Sequence, residues 1–193
     1  MYVRDAKNRE EVWLLDWIAE LGLDDTAFRS RDYVVAVDER SDEKAGFGRI
    51  RVHADGDERC CELSSIGVLP AWRRQGVGAH VVERLVEYAG DERFHRVYAL
   101  TDHRRYLAQF GFRRINEEEL PAPLSERLET LHEDGTPETV PLVLSIDRFR
   151  MPERLRERFK TAEPHPEDES DEPEEGPEDF GIDPDQATYK YDV

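Results

Sequence analysis

Two hydrophobic periods alternate along the first 146 residues. Tyr33-Val34-Val35-Ala36-Val37, Ala45–Val52, Glu62–Leu69, Val97–Leu100 and Val140–Ile146 are short apolar or alternating runs bounded by turn residues, a pattern that predicts strands. Met1–Arg4 and Phe112–Ile115 read as shorter strands, and Asp38–Lys44 and Asp55-Gly56-Asp57 as turns. Leu14, Leu15, Ile18 and Leu21 recur at helical spacing, which predicts a helix over residues 8–21. Asn8 would be its cap, Glu10 and Glu11 would lie in its first turn, and Gly22 would stop it. A second helix starts at Gly76, with Val77, Val81, Leu85 and Tyr88 on one stripe widened by Val82 and Ala89. A short helix over His103–Phe110, another over Leu120–Leu131 and a polar one over Pro152–Ala162 follow. Two hairpin-like strand pairs therefore precede a strand–helix–strand unit, which predicts an α/β (α+β) fold with one mixed sheet. Gly46 and Gly48 interrupt their strand and mark a bulge or a close backbone approach.

Composition divides the chain. Hydrophobic residues make up 38% of the 193, below the globular norm of roughly 45–50%. Thirteen acidic residues, five prolines and one lysine fall between Glu163 and Val193, so this stretch carries −12 of the total −18. The expected organisation is a domain over 1–150, the polar helix over 151–162 and an acidic, disordered tail over 163–193. Phe180, Ile182, Tyr189, Tyr191 and Val193 are the apolar exceptions in that tail; docking back onto the body and partner binding are alternatives to a solubilising role.

Only four of the 27 basic residues are lysine, and an acid-rich, lysine-poor surface suits a salt-rich, halophilic cytoplasm; arginine-favouring codon bias is the alternative. Net negative charge argues against nucleic acid as a partner. The absence of any apolar run of about 18 residues, or of a signal-like start, predicts a cytoplasmic chain with no membrane partner. Cys60 and Cys61 are strand neighbours that point to opposite faces, so neither a shared metal nor a disulfide is expected.

The chemistry concentrates at Ile66-Gly67-Val68-Leu69-Pro70-Ala71-Trp72-Arg73-Arg74-Gln75-Gly76-Val77-Gly78-Ala79. A strand runs through a turn into a glycine-studded helix N-terminus. Free amides and the helix dipole favour an anion there, glycines admit a phosphate to the backbone, and two arginines add fixed charge. The spacing lacks the Gly-Lys-Ser/Thr of a P-loop, and Val81 stands where a dinucleotide fingerprint needs its third small residue.

The segment resembles the phosphate loop of the GNAT superfamily of acetyl-CoA-dependent N-acyltransferases, Arg/Gln-x-x-Gly-x-Gly/Ala. Arg73, Gly76 and Gly78 match it, Val68-x-Pro70 precedes it, and Phe110-Gly111-Phe112 closes the unit as in that family. The resemblance covers about residues 1–146 and implies a single mixed sheet, splayed between two strands and flanked by helices. Acetyl-CoA is the implied cosubstrate, with no metal. Ile66, Gly67 and Val68 would pair with pantetheine, and Arg73, Arg74, Gln75, Gly76, Val77, Gly78 and Ala79 would hold the phosphates.

For catalysis the resemblance offers Glu62, 14 residues before Gly76, as a general base. Period-2 counting puts it on one face with Ser64 and Ile66 unless a bulge intervenes, and an apolar cleft would raise its pKa. The alternative is a solvated strand-end carboxylate. The family's acid tyrosine would fall at Leu107; Tyr106 is its neighbour and the candidate, with a half-buried packing role as the alternative. His80 is expected at the surface, His103 is a weaker base candidate, Trp72 packs on the loop or lines the entrance, and Trp13 and Trp17 face the core or an acceptor groove.

Tyr98-Ala99-Leu100-Thr101, Phe110-Gly111-Phe112 and Glu119-Leu120-Pro121 look like amino-acid N-acetyltransferases of the N-acetylglutamate synthase type. The implied acceptor is a small-molecule amine such as an amino acid, with a homodimer left open. Acetylation of a protein amine and a non-catalytic acyl-CoA-binding regulatory module are the alternatives.

Overall fold

The computed structural model describes residues 1–55 and 58–165. The turn residues Gly56 and Asp57 and the tail residues Phe180, Ile182, Tyr189, Tyr191 and Val193 lie outside the described residues. The elements are β1 (Tyr2–Asp5), α1 (Glu11–Glu20), β2 (Tyr33–Val37), β3 (Lys44–Asp55), β4 (Glu58–Val68), α2 (Val77–Asp91), β5 (Arg96–Thr101), α3 (Arg104–Ala108), β6 (Arg113–Arg114), α4 (Ala122–Glu133), β7 (Val140–Ser145) and α5 (Glu153–Lys160). Seven strands form one mixed sheet in the order β1-β2-β3-β4-β5-β7-β6, and only β4 and β5 run parallel.

The first helix begins later than its pattern predicts. Residues Asn8–Glu10 form a 3-10 turn, and Glu10 rather than Asn8 organises the start. Its carboxylate accepts the Lys7 amide at 2.8 Å and a bidentate pair from Arg4 at 2.8 and 2.7 Å. Burial opposes the charge on Glu10, but these donors overcome it and hold the carboxyl at about 2.

Helix α2 covers one face of the sheet. A Cβ added to Gly48 would lie 2.7 Å from Val81 and 3.0 Å from Ile66 and Leu85, and one added to Gly46 would lie 3.0 Å from Val77. The two glycines thus form a track on which the apolar stripe of α2 rests, the close approach that their position in the strand predicts. On the opposite face α1 packs through Leu14 and Ile18 onto Tyr33, Val35 and Phe47, and α4 packs through Leu124 and Leu128 onto Val143 and Cys60. Cys60 and Cys61 join the clusters of opposite faces, as strand alternation requires.

Two irregularities in β4 shape the site. Phe47 pairs with Gly67 but Arg49 pairs with Ser64, so Ser65 and Ile66 together stand opposite Gly48, with Ser65 at φ 48°. This bulge changes the facing expected from simple alternation. Glu62 and Ser64 share the α1/α4 face with Arg51 and Arg49, whereas Ile66 turns to the α2 face and meets Gly48. The second irregularity is the parallel ladder, which consists of one pair, Glu62 with Tyr98. Beyond it the two strands part, leaving the β5-facing side of Leu63–Val68 outside the ladder.

Replacing Gly48 with alanine should lower stability by about 1–3 kcal/mol, because the β-branched Val81 cannot move aside without shifting α2. Urea denaturation checks this, and an unchanged midpoint would mean the helix rides higher above the strand than described.

Candidate active site

The segment Arg73–Ala79 makes a tight entry into α2. Arg74 (φ 61°) and Gly76 (φ 78°) both take the left-handed conformation, the second as the N-cap. Left-handed residues at the head of a helix turn backbone amides outward, the kind of backbone that forms an anion nest. The first helical hydrogen bond runs from the His80 amide to Gly76 O at 3.2 Å, so the amides of Gln75–Ala79 precede the helix ladder and stand at its positive end. Arg73 and Arg74 are exposed beside them, while Gln75–Ala79 are buried. These features fit a pyrophosphate.

Gly78 opens onto the gap between β4 and β5. A Cβ there would lie 3.0 Å from the Tyr106 hydroxyl and 3.2 Å from Val68. Tyr106 therefore reaches over the helix N-terminus, whereas Leu107 is buried in the core beside α2. The Tyr106 ring is 39% exposed, yet its hydroxyl end is desolvated, which pushes its pKa up to about 12. At neutral pH this group holds its proton and is a donor.

Glu62 differs from both sequence readings. It is neither solvated nor in an apolar cleft: it is 1% exposed and held at both oxygens. His53 Nε2 lies 2.7 Å from Oε2, and Arg127 Nε donates to Oε1 at 2.9 Å. Burial would raise the carboxyl's pKa, but His53 and Arg127 outweigh it and lower the value. The expected upward shift is corrected because two strand–helix partners that are remote in sequence supply donors.

Asp24, on the loop after α1, completes this network. Its Oδ2 receives Arg127 at 2.6 Å and Arg49 and Arg51 at 3.3 Å each. Burial opposes its charge, while bonds from Thr26 and the nearby Arg127 hold it at about 2. Three guanidinium groups thus face two carboxylates, leaving a cation in excess on the α1/α4 face. Arg49 is 2% exposed and also donates to Ser64 Oγ and Thr26 O. The Tyr33 hydroxyl beside this cluster is buried without a hydrogen-bond partner among the described residues.

A family model described as acetyltransferase (GNAT) family matches residues 2–112. The chain belongs to the GNAT family. Solved structures of similar fold include the N-acetylglutamate synthase of Neisseria gonorrhoeae complexed with coenzyme A and N-acetyl-glutamate, at TM-score 0.60 and 19% identity over 75% of this chain and 34% of that one. A Mycobacterium tuberculosis protein in complex with CoA gives TM-score 0.61 and 19% identity over 75% of this chain and 99% of that one. An aminoglycoside 6′-acetyltransferase type Ii gives 0.52 and 19% over 79% and 100%. The chain spans about a third of the gonococcal synthase. At these identities the likeness is one of fold. No curated protein matches the chain.

Within the GNAT frame the remaining candidates separate. Val68 borders both the β4–β5 gap and Gly78, while Gly67 is closely approached by Leu21 and Phe47 on the other face. Trp72 is buried in the core with α2, which leaves the entrance to other residues. Trp13 and Trp17 pack partly buried on the α1 cluster. His103 is exposed and pairs with Asp102 at 2.8 Å. His80, expected at the surface, is half-buried: it stacks on Phe159 at 3.7 Å. Arg127, Asp24, Arg49, Arg51 and His53 carry no motif; the sequence signal of all but the loop residue Asp24 is polarity at positions where a strand or helix needs apolar residues.

Arg127→Gln should destabilise the protein by roughly 3 kcal/mol at pH 7, because it leaves a buried carboxylate under-paired. Asp24 and Glu62 have depressed pKa values, so their contribution is complete above the ordinary carboxylate range and fades as pH falls, toward about 2 for Asp24. The difference between variant and wild type should shrink below about pH 4 in denaturation curves taken from pH 7 to pH 3; a gap that stays constant would exclude an ionic origin.

Proposed function

We propose that this GNAT protein transfers the acetyl group of acetyl-CoA to the amine of a small, carboxylate-bearing acceptor such as an amino acid. The observation that carries the reading is the disposition of two unlike sites on opposite faces of the β4–β5 gap. The nest Arg74–Ala79 and the Tyr106 hydroxyl lie on the α2 face. The arginine-rich cluster around Asp24 and Glu62 lies on the α1/α4 face. A phosphate-bearing donor and a charged small acceptor would approach from opposite sides and meet where the strands part.

Bound acetyl-CoA supplies a thioester acyl group and a thiolate leaving group. The chain's residues divide the rest of the work. Amides 75–79 and Arg73 would hold the phosphates, and the separated edge of Ile66, Gly67 and Val68 offers backbone groups to the pantetheine amides. Tyr106, protonated at neutral pH, would give its proton to the departing sulfur. Glu62 is ionised with both oxygens engaged, so a base role would pass to its partner: the His53 ring, in the tautomer whose Nε2–H donates to the carboxylate, would offer Nδ1 to a proton of the acceptor amine. Among the described residues Arg51 pairs with Asp24, which it shares with two other arginines, and its guanidinium would take the acceptor's carboxylate.

Free CoA release measured over a panel of amines tests this. Release is expected with amino acids and should fall for the same amines lacking the carboxyl group. Tyr106→Phe should lower kcat on the order of 100-fold while acetyl-CoA binding is kept. Saturable acetyl-CoA binding with no release on any small amine would sink the reading in favour of a binding module or a protein substrate.

A further inference from the structure

The strongest feature outside the family's matched residues is the C-terminal segment that wraps the phosphate loop. Helix α5 packs along the side of α2 formed by Gly76, His80 and Glu83. Leu155, Phe159 and Ala162 are buried in the same core cluster as Val77, Val82 and Val86. The place of a Gly76 Cβ is filled by the Leu155 carbonyl, with Phe159 N at 3.3 Å. The Phe159 ring lies flat on His80, 3.7 Å between centroids at 10°. Beyond the helix, the Gln75 side-chain amide reads the Glu163 backbone in both directions: Nε2 donates to Glu163 O at 2.7 Å, and Glu163 N–H donates to Oε1 at 2.9 Å. The His165 amide then donates to Ala71 O at 2.8 Å. Glu163 and His165, which composition assigns to the acidic tail, are thus tied to the loop.

These bonds have a common direction. Three carbonyls of the loop are engaged from behind: Ala71 O by His165, Arg74 O by Arg158 at 3.4 Å, and Gly76 O by His80 Nδ1 at 2.9 Å. A carbonyl oxygen repels an anion, and in a left-handed turn the carbonyl and the following amide swing together. Holding the Arg74 and Gly76 carbonyls fixes the peptide planes that carry the amides of Gln75 and Val77. Positions 76 and 78 are about 200° apart around a helix, so the segment on Gly76 stands opposite the Gly78 side, which opens to Tyr106 and Val68. It braces the nest and leaves the β4–β5 gap clear.

We propose that residues 152–165 form a clasp that sets the phosphate loop in its anion-receiving conformation, with Gln75 and Phe159 as its positioning residues. The proposal rests on the acyl-CoA reading of that loop. It requires clasp docking and CoA binding to favour one another, since linkage is reciprocal.

The test uses the full chain, CoA as the probe and two readouts. In calorimetric titration, Gln75→Ala and Phe159→Ala should bind CoA at least 10-fold more weakly than wild type. In turnover they should raise the KM for acetyl-CoA and leave kcat and the acceptor KM near wild type, a split that general loss of fold would not give. In wild type, CoA should slow hydrogen exchange at the Glu163 and His165 amides, a readout that does not depend on any variant folding. Equal CoA affinity in folded variants, or unchanged exchange at those amides in a wild type that binds CoA, overturns the clasp. Tighter binding in the variants overturns it too, because the segment would then obstruct the loop. A wild type that does not bind CoA overturns the acyl-CoA reading itself, which separates that failure from failure of the clasp.

Discussion

The structure turns on how β4 is shared between its neighbours. It pairs with β3 from end to end but touches the β5 ladder only at Glu62 and Tyr98. A parallel pair held at one point must diverge, because each strand follows a different partner: β4 follows β3 through the Ser65 bulge, and β5 follows β7 over its whole length. The divergence leaves a stretch of unpaired sheet edge in the middle of the molecule, where both faces can be reached. A buried sheet edge is costly unless something pairs with it, so the gap is chemically suited to an extended, amide-bearing group.

Electrostatics then makes the two faces unlike. On the α2 side, left-handed residues and a helix N-terminus aim uncharged dipoles at a point, with arginines outside. On the α1/α4 side, real charges meet: three guanidinium groups, two carboxylates and an imidazole within one hydrogen-bonded cluster. The first arrangement suits a fixed phosphate chain, whose geometry is common to many donors. The second depends on a few side chains from β3, β4, α4 and the loop after α1, whose identities the backbone pairing of the sheet does not dictate. Fold and phosphate loop therefore say little about the acceptor, which on the proposed reading is set by this cluster.

Ion pairs in this cluster also bind the fold together. Asp24 comes from the loop after α1, Arg49 and Arg51 from β3, Glu62 from β4 and Arg127 from α4. Desolvation penalises every member, and the network is favourable only when all are present. Rigidity on the α1/α4 face and stability thus come from the same bonds, and a substitution that alters one alters the other.

The strands, the helices and the loop Arg73–Ala79 are legible in the sequence because each is encoded locally. Apolar periods of 2 and 3.6 fix the elements, and the glycines at 76 and 78 mark a tight turn into a helix N-terminus. Tyr106 is legible to within a residue, but one residue on a helix is a rotation of about 100°, and the packing of Leu107 into the core decided which side chain reaches Gly78. The state of Glu62 was not legible. Its neighbours in the chain suggest either solvent or an apolar cleft, whereas its actual partners, His53 and Arg127, are 9 and 65 residues away. The facing of Ile66 depends on a bulge set by the β3 register, and the clasp depends on Glu163 meeting Gln75 across 88 residues. Conformation is a local property that a chain can spell out; the charge state and partnership of a side chain depend on what tertiary packing brings beside it.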